Sequence, residues 1–273
     1  METTQFIQHF DRRVASFYYY FGKTKESHEI EDIHQLRVSI KKQRVIWSLV
    51  QKISEGKWKE KAQDGLIGDL YWKSGKVRET QINLKLTEQF YHAVLSAYFK
   101  HQLNKQKQYN VALSRGMLVY DLNMYENLNT QLRQQMDEIS DETVIKESGV
   151  LILKNAAKIR SSAKCDLHDV RKRLKAVQEL IGIQRNLNNN GLVELNYQVK
   201  SLNVLLGEWH DYCVFDDSLK KFLKRSSGKE NKRHIRNVIN YVDCLQEARR
   251  KILRKQLKTE ISRFPLNQIK DFL

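Results

Sequence analysis

Ile33-His34-Gln35-Leu36-Arg37-Val38-Ser39-Ile40-Lys41 recurs in the second half of the chain as Leu167-His168-Asp169-Val170-Arg171-Lys172-Arg173-Leu174-Lys175. In both stretches an Arg follows the His by three residues and a Lys follows it by seven, with the apolar positions aligned. That rhythm belongs to a helix face, not to a strand. A second pair repeats the order: Gly75-Lys76-Val77-Arg78-Glu79 corresponds to Gly207-Glu208-Trp209-His210-Asp211, at nearly the same distance from the first motif in each half. Two short matches in one order at near-equal spacing point to an internal duplication, hence to two related helical bundles with a pseudo-two-fold relation.

At 3.6 residues per turn, His34, Arg37, Lys41 and Arg44 share one line of a helix with Ser48. Leu36, Ile40 and Trp47 flank that line on one side and Val38, Val45 and Leu49 on the other, with Gln35, Ser39 and Lys42 as the polar back. Apolar flanks on both sides of a basic line should be buried, which puts the line in a groove between helices. Desolvated cations without carboxylates in the stripe call for an anion from outside. The stripe spans about 15 Å, which suits an anion repeated along a line. A compact phosphate is more often held at a Gly-rich loop, and neither G-x-x-x-x-G-K-[ST] nor G-x-G-x-x-G occurs. The second copy keeps His168, Arg171 and Lys175, but Gln178 and Glu179 stand where more cation is expected, and Lys172 replaces an apolar flank. Arg78 and His210, with Lys85 two turns beyond Arg78, extend the positive lining.

Composition agrees. Lys and Arg number 48 against 32 Asp and Glu, a net charge of +16, so a polyanionic partner is expected: nucleic acid, an anionic membrane surface or a phosphate polymer. One proline, Pro265, in 273 residues predicts an all-α chain. The expected helices are an opening one ending at the cap residue Gly22, then about Asp32 to Ile53, Trp58 to Ser74, Arg78 to His101 and Lys105 to Met136. An N-cap at Ser140-Asp141-Glu142-Thr143 marks the midpoint, and turns at Asn188-Asn189-Asn190-Gly191 and Ser226-Ser227-Gly228 divide the second half. Cys165, Cys213 and Cys244 have no metal-ligand spacing and read as small buried residues of a reducing compartment. No leader-like N-terminus and no long apolar run is present, so a soluble cytoplasmic protein is expected.

The residues from His34 to Arg44, those from Leu167 to Lys175, and Leu206-Gly207-Glu208-Trp209-His210-Asp211 together resemble the signatures of the CHAD (conserved histidine α-helical domain) family, with His210 replacing an Arg. The resemblance extends from about Asp32 to Phe264. It implies two four-helix bundles around a central basic cavity, polyphosphate binding there, and association with polyphosphate granules. Carried over by position, His34, Arg37, Lys41, Lys42 and Arg44 contact phosphates from one half, and His168, Arg171 and Lys175 from the other. Gln178 replaces an Arg of the family, and Thr80-Gln81 interrupts its acidic run after Glu79. The expected division is an N-terminal helix and connector over 1–30, a first bundle over 31–139 and a second over 140–273. No cofactor, metal or catalytic residue is assigned, and the chain is read as a binding protein, not an enzyme; the Glu-x-Glu-x-Lys element of triphosphatase domains often fused to the family is absent.

Three other readings fit parts of the pattern. The doublets His168-Asp169 and His210-Asp211 suit a metal-dependent His-Asp phosphohydrolase, although Arg171 and Lys175 on the His168 face would repel a cation. The charge suits RNA or DNA, although no aromatics interleave the stripe. The blandest is a solvated face on a helical scaffold. By chemistry alone, the stripe suits any flexible linear polyanion.

Overall fold

The computed structural model describes residues 4–56, 61–89, 95–162, 166–187, 192–225 and 229–262, apart from a few side chains within those ranges. These residues form nine helices and no strand: α1 (Gln5–Ser27), α2 (Ile30–Ile53), α3 (Lys61–Gln89), α4 (Ser96–Leu118), α5 (Leu122–Met136), α6 (Asp141–Ser162), α7 (Leu167–Asn186), α8 (Val193–Arg225) and α9 (Lys229–Ser262).

Local chemistry sets most of the ends. Thr4 caps α1, its Oγ1 accepting from the Ile7 N–H. Helix α1 runs through Gly22 to a left-handed His28 (φ 55°), with Phe21 before the glycine and Thr24 beyond it both buried. Asp121 and Asp166 cap α5 and α7 through bonds of 2.8 Å to the Met124 and His168 N–H groups. The Ser140 hydroxyl accepts from the Thr143 N–H at 3.2 Å, which is the cap expected at the midpoint. The expected break between Ser74 and Arg78 does not occur, and α3 continues through Gly75. Conversely, the single helix expected from Lys105 to Met136 is interrupted, α4 ending at Leu118 and α5 starting on the Asp121 cap. The turns expected at 188–191 and 226–228 lie outside the described residues, between α7 and α8 and between α8 and α9.

Neighbours in the chain pack on one another: α1 on α2, α2 on α3 and α3 on α4, then α6 on α7, α7 on α8 and α8 on α9. The two runs meet where α2 packs on α6 and α7, α1 on α7, and α3 on α8. A main core joins them, containing Phe6, Phe10 and Phe17 of α1, Leu36 and Trp47 of α2, and Leu174, Leu202 and Leu206 of α7 and α8. A smaller cluster of Tyr98, Phe215, Leu219 and Ile239 ties α4 to α8 and α9. Burial of apolar area at these seams is what favours the packed state.

The far side of α2 from the cavity is not its solvated back. Ser39 is buried, its hydroxyl donating to the Leu36 carbonyl at 2.7 Å. Gln43 is buried beside it, donating to the Arg13 carbonyl of α1 and accepting from the Tyr125 hydroxyl of α5 at 2.6 Å. A helix from elsewhere in the chain covers this side, which local periodicity cannot foresee. The cysteine expectation also fails in part: Cys244 is exposed and Cys213 half-buried, while Cys165 lies outside the described residues.

Candidate functional site

Helices α2 and α7 face each other across a cavity of about 800 Å³, with α1, α3 and α8 completing its walls. Nine of the eleven residues singled out from the sequence line it: His34, Arg37, Lys41, Lys42 and Arg44 from α2, His168, Arg171 and Lys175 from α7, and His210 from α8. Arg78 and Lys85 do not. The guanidinium of Arg37 occupies α3 at Ser74 and Gly75, and Arg78, one turn on, falls beside His34 and Asp211 outside the lining. Lys85 is exposed, within electrostatic range of Asp211. Gln35 and Lys42, expected on the back of α2, line the cavity, as do Val38 and Val45, expected to be buried in a seam. The basic face of α2 is therefore wider than one line.

The α3 wall organises the α2 cations. Arg37 Nη1 donates to the Tyr71 carbonyl, and its Cζ lies 4.2 Å from the Tyr71 ring centre. Arg44 lies 4.7 Å from the same ring, and the Lys41 ammonium 5.8 Å. An aromatic face attracts such cations while leaving their outer donors available. On the other side the His168 ring stands 5.2 Å from the His210 ring and 4.7 Å from the Trp209 ring.

Crowding of like charges shows in the titration of the group. Burial, then Lys41 and Arg171, bring Lys175 down to about 7, with Asp211 pulling the other way. Burial, then Arg37, Arg171 and Arg44, bring Lys41 down to about 8. His210 falls to about 4, from burial and then Arg171 and His168, and His34 is lowered by burial and then Arg78. Buried cations with few opposing charges favour losing their protons unless an anion arrives.

The lining holds ten Lys or Arg side chains and one carboxylate, Glu179. That carboxylate is already engaged: Arg13 Nε donates to it at 2.8 Å, and the buried His9 ring nitrogen sits 3.3 Å away. Gln178 is engaged too, accepting from the Asn203 amide at 2.8 Å. The interruption of the α7 stripe is thus a contact between helices.

A metal centre finds little support in this geometry. Asp169 is held by Arg173 Nε at 2.7 Å, and Asp211 faces Arg78, Arg171, Lys175 and Lys85. Among the described residues, no group of three or more His, Cys, Asp or Glu side chains is placed to hold a metal ion. Nor is any helix among them long and apolar enough to cross a membrane.

Sequence reasoning missed Arg13, Tyr71, Arg185 and Lys200, all of which line the cavity. Arg185 was within reach of the same rule that found Lys175. Positions 168, 171, 175, 178, 182 and 185 form one helical line, and each of them lines the cavity. Arg13 and Tyr71 come from α1 and α3, and nothing local marks them.

The family model for the CHAD domain matches residues 8–220. The chain belongs to the CHAD-domain family. Its fold is also similar to the crystal structure of the CHAD domain from the plant Ricinus communis, with a TM-score of 0.75 at 15% identity, over 93% of this chain and 90% of that one. No curated protein matches the sequence. The all-α CHAD fold expected from the repeated signatures is therefore the fold observed. In this CHAD domain both His-Arg-Lys stripes line the cavity, with His34, Arg37, Lys41, Arg171 and Lys175 half-buried on its walls and His168 exposed at its edge.

Proposed function

We propose that the cavity binds inorganic polyphosphate, or another linear polyanion of the same chemistry, and that the protein acts by binding rather than by catalysis. The observation that carries this reading is a cavity lined by ten Lys or Arg side chains, whose one lining carboxylate is already paired with Arg13. Such a wall repels metal cations and disfavours apolar ligands, and it gains most from an anion that touches several groups at once. Two buried polar atoms support the reading: the Arg171 Nε donor and His210 Nδ1 have no hydrogen-bond partner among the described residues. The matching succession of helices, α1 to α4 and α6 to α9, supports an origin by duplication, with one stripe contributed by each half. On this reading the protein works at polyphosphate granules, the association that the family resemblance implies, in the cytoplasm that the sequence leads one to expect.

Duplex nucleic acid fits less well, because a cavity of about 800 Å³ between helices excludes a double helix. The test is competition between long-chain polyphosphate and single-stranded RNA at moderate salt. Polyphosphate should displace RNA at a lower phosphate concentration than the reverse, with affinity falling steeply as salt rises. Tighter binding of RNA would overturn the proposal.

A further inference from the structure

The antiparallel seam of α7 and α8 carries the cavity beyond the signature residues. At one end His168 meets His210, with the rings 5.2 Å apart. In the middle, Asn203 donates to Gln178. Farther along, α7 reaches Gly182 and Arg185 while α8 reaches Lys200 and Asn196, and all four line the same cavity. From His168 to Arg185 is about 25 Å of helix, and from His210 to Asn196 about 21 Å. The cavity is therefore markedly longer than the stripe of α2.

Along α7 the signature cations crowd the first end, and Ala176, Gln178 and Glu179 follow without a further cation of that helix. Arg13 holds the Glu179 carboxylate, and Lys42 of α2 faces both. Next to this stretch, Gly182 leaves room, since a Cβ built there would meet nothing within 4 Å. Charge then resumes with Arg185 and Lys200, both exposed, and neither has a carboxylate partner among the described residues. A purely solvated pair of cations would need no continuous cavity leading to it.

We infer that Arg185 and Lys200 form a second anion station at the open end of the cavity, which takes the distal phosphates of a linear polyphosphate whose first segment lies on the signature stripes. The inference rests on the polyphosphate reading above and adds a length requirement to it. A chain of a few phosphates fills the first station only, whereas a long chain spans both and gains through effective concentration. The Gln178–Glu179 stretch of α7, whose carboxylate Arg13 already holds, sets the spacing, and Gly182 keeps the path open.

The test is a calorimetric titration of sodium triphosphate and of long-chain polyphosphate, each into the parent protein and into an Arg185→Gln/Lys200→Gln double variant. Both positions are exposed, so the variant should fold as the parent does, which circular dichroism checks. Triphosphate affinity should be unchanged within about twofold, while long-chain affinity should drop about tenfold or more at moderate salt, as expected when two stations are reduced to one. The slope of log affinity against log salt for the long chain should become shallower by about 1.4 to 1.8, the value for two lost phosphate contacts. Equal effects on both ligands, or no effect on either, would overturn the second station. If the parent bound neither ligand, the polyphosphate reading itself would fail, and this inference with it.

Discussion

Arg37 lies so close to α3 that a Cβ added at Gly75 would sit 2.8 Å from its Nη1. The glycine that looks like a helix break in the sequence is instead the space into which a cavity arginine folds. Arg37 uses that space to reach the Tyr71 carbonyl and the Ser74 hydroxyl, the latter at 3.3 Å.

Gly75→Ala therefore separates stability from binding. Alanine gains about 1 kcal/mol of helix propensity in the middle of α3, and loss of the Arg37 bond costs about as much. Because the clashing atoms are the end of a flexible side chain, the fold should survive with a melting temperature within a few degrees of the parent. Polyphosphate affinity should nonetheless change at least severalfold, because the guanidinium must move. An unchanged binding isotherm would show that Arg37 does not need its place on α3.

Tyr71 is predicted to act through its ring. Tyr71→Phe keeps the face under Arg37 and Arg44 and should bind as the parent does. Tyr71→Leu removes it and should weaken binding severalfold, because Arg37 and Arg44 lose the face that holds them in place before the anion arrives. Equal behaviour of the two variants in a titration would contradict this role.

The pH dependence follows from Lys41 and Lys175. In the unliganded protein they stand at about 8 and about 7, against an ordinary 10.5. A polyanion favours both ammonium forms, so affinity is greatest below about pH 7 and falls as pH rises through 7 to 8 and beyond. Calorimetry at pH 8 in two buffers of different ionisation enthalpy should show proton uptake on binding. Stability of the unliganded protein runs the other way. Both folded values lie below the unfolded one, so the unfolded chain binds more protons above about pH 7. Their contribution therefore makes the unliganded protein more stable from about pH 7 to 9. Binding without proton exchange would contradict the crowded pair.

Much of this was legible in the residues themselves. The His-Arg-Lys spacing and its repetition placed His34, Arg37, Lys41, Arg44, His168, Arg171 and Lys175 in one cavity, because positions three, four and seven apart on a helix share a face whatever the rest of the chain does. Lys42 came only from the family resemblance, and His210 from the second motif. What remained hidden depends on contacts distant in sequence. Gly75 is an ordinary helix breaker until Arg37, 38 residues earlier, is seen beside it. Ser39 looks solvated, yet it is buried beside Gln43, which α1 and α5 cover. Glu179 reads as a defect in a basic stripe until Arg13 and His9 arrive from α1. Arg185 was missed for a simpler reason: Gln178 and Glu179 interrupted the line, although the same periodicity continues beyond them.

The most direct measurement is a titration of long-chain polyphosphate into the parent protein and into an Arg37→Glu/Arg171→Glu variant, with Lys100→Glu/Lys154→Glu as an exposed control. Tight, salt-sensitive binding by the parent and the control, with none detectable for the cavity variant at unchanged helix content, is the predicted result. A cavity variant that folds and binds as tightly as the parent would contradict the central claim that the two inward stripes hold the polyanion.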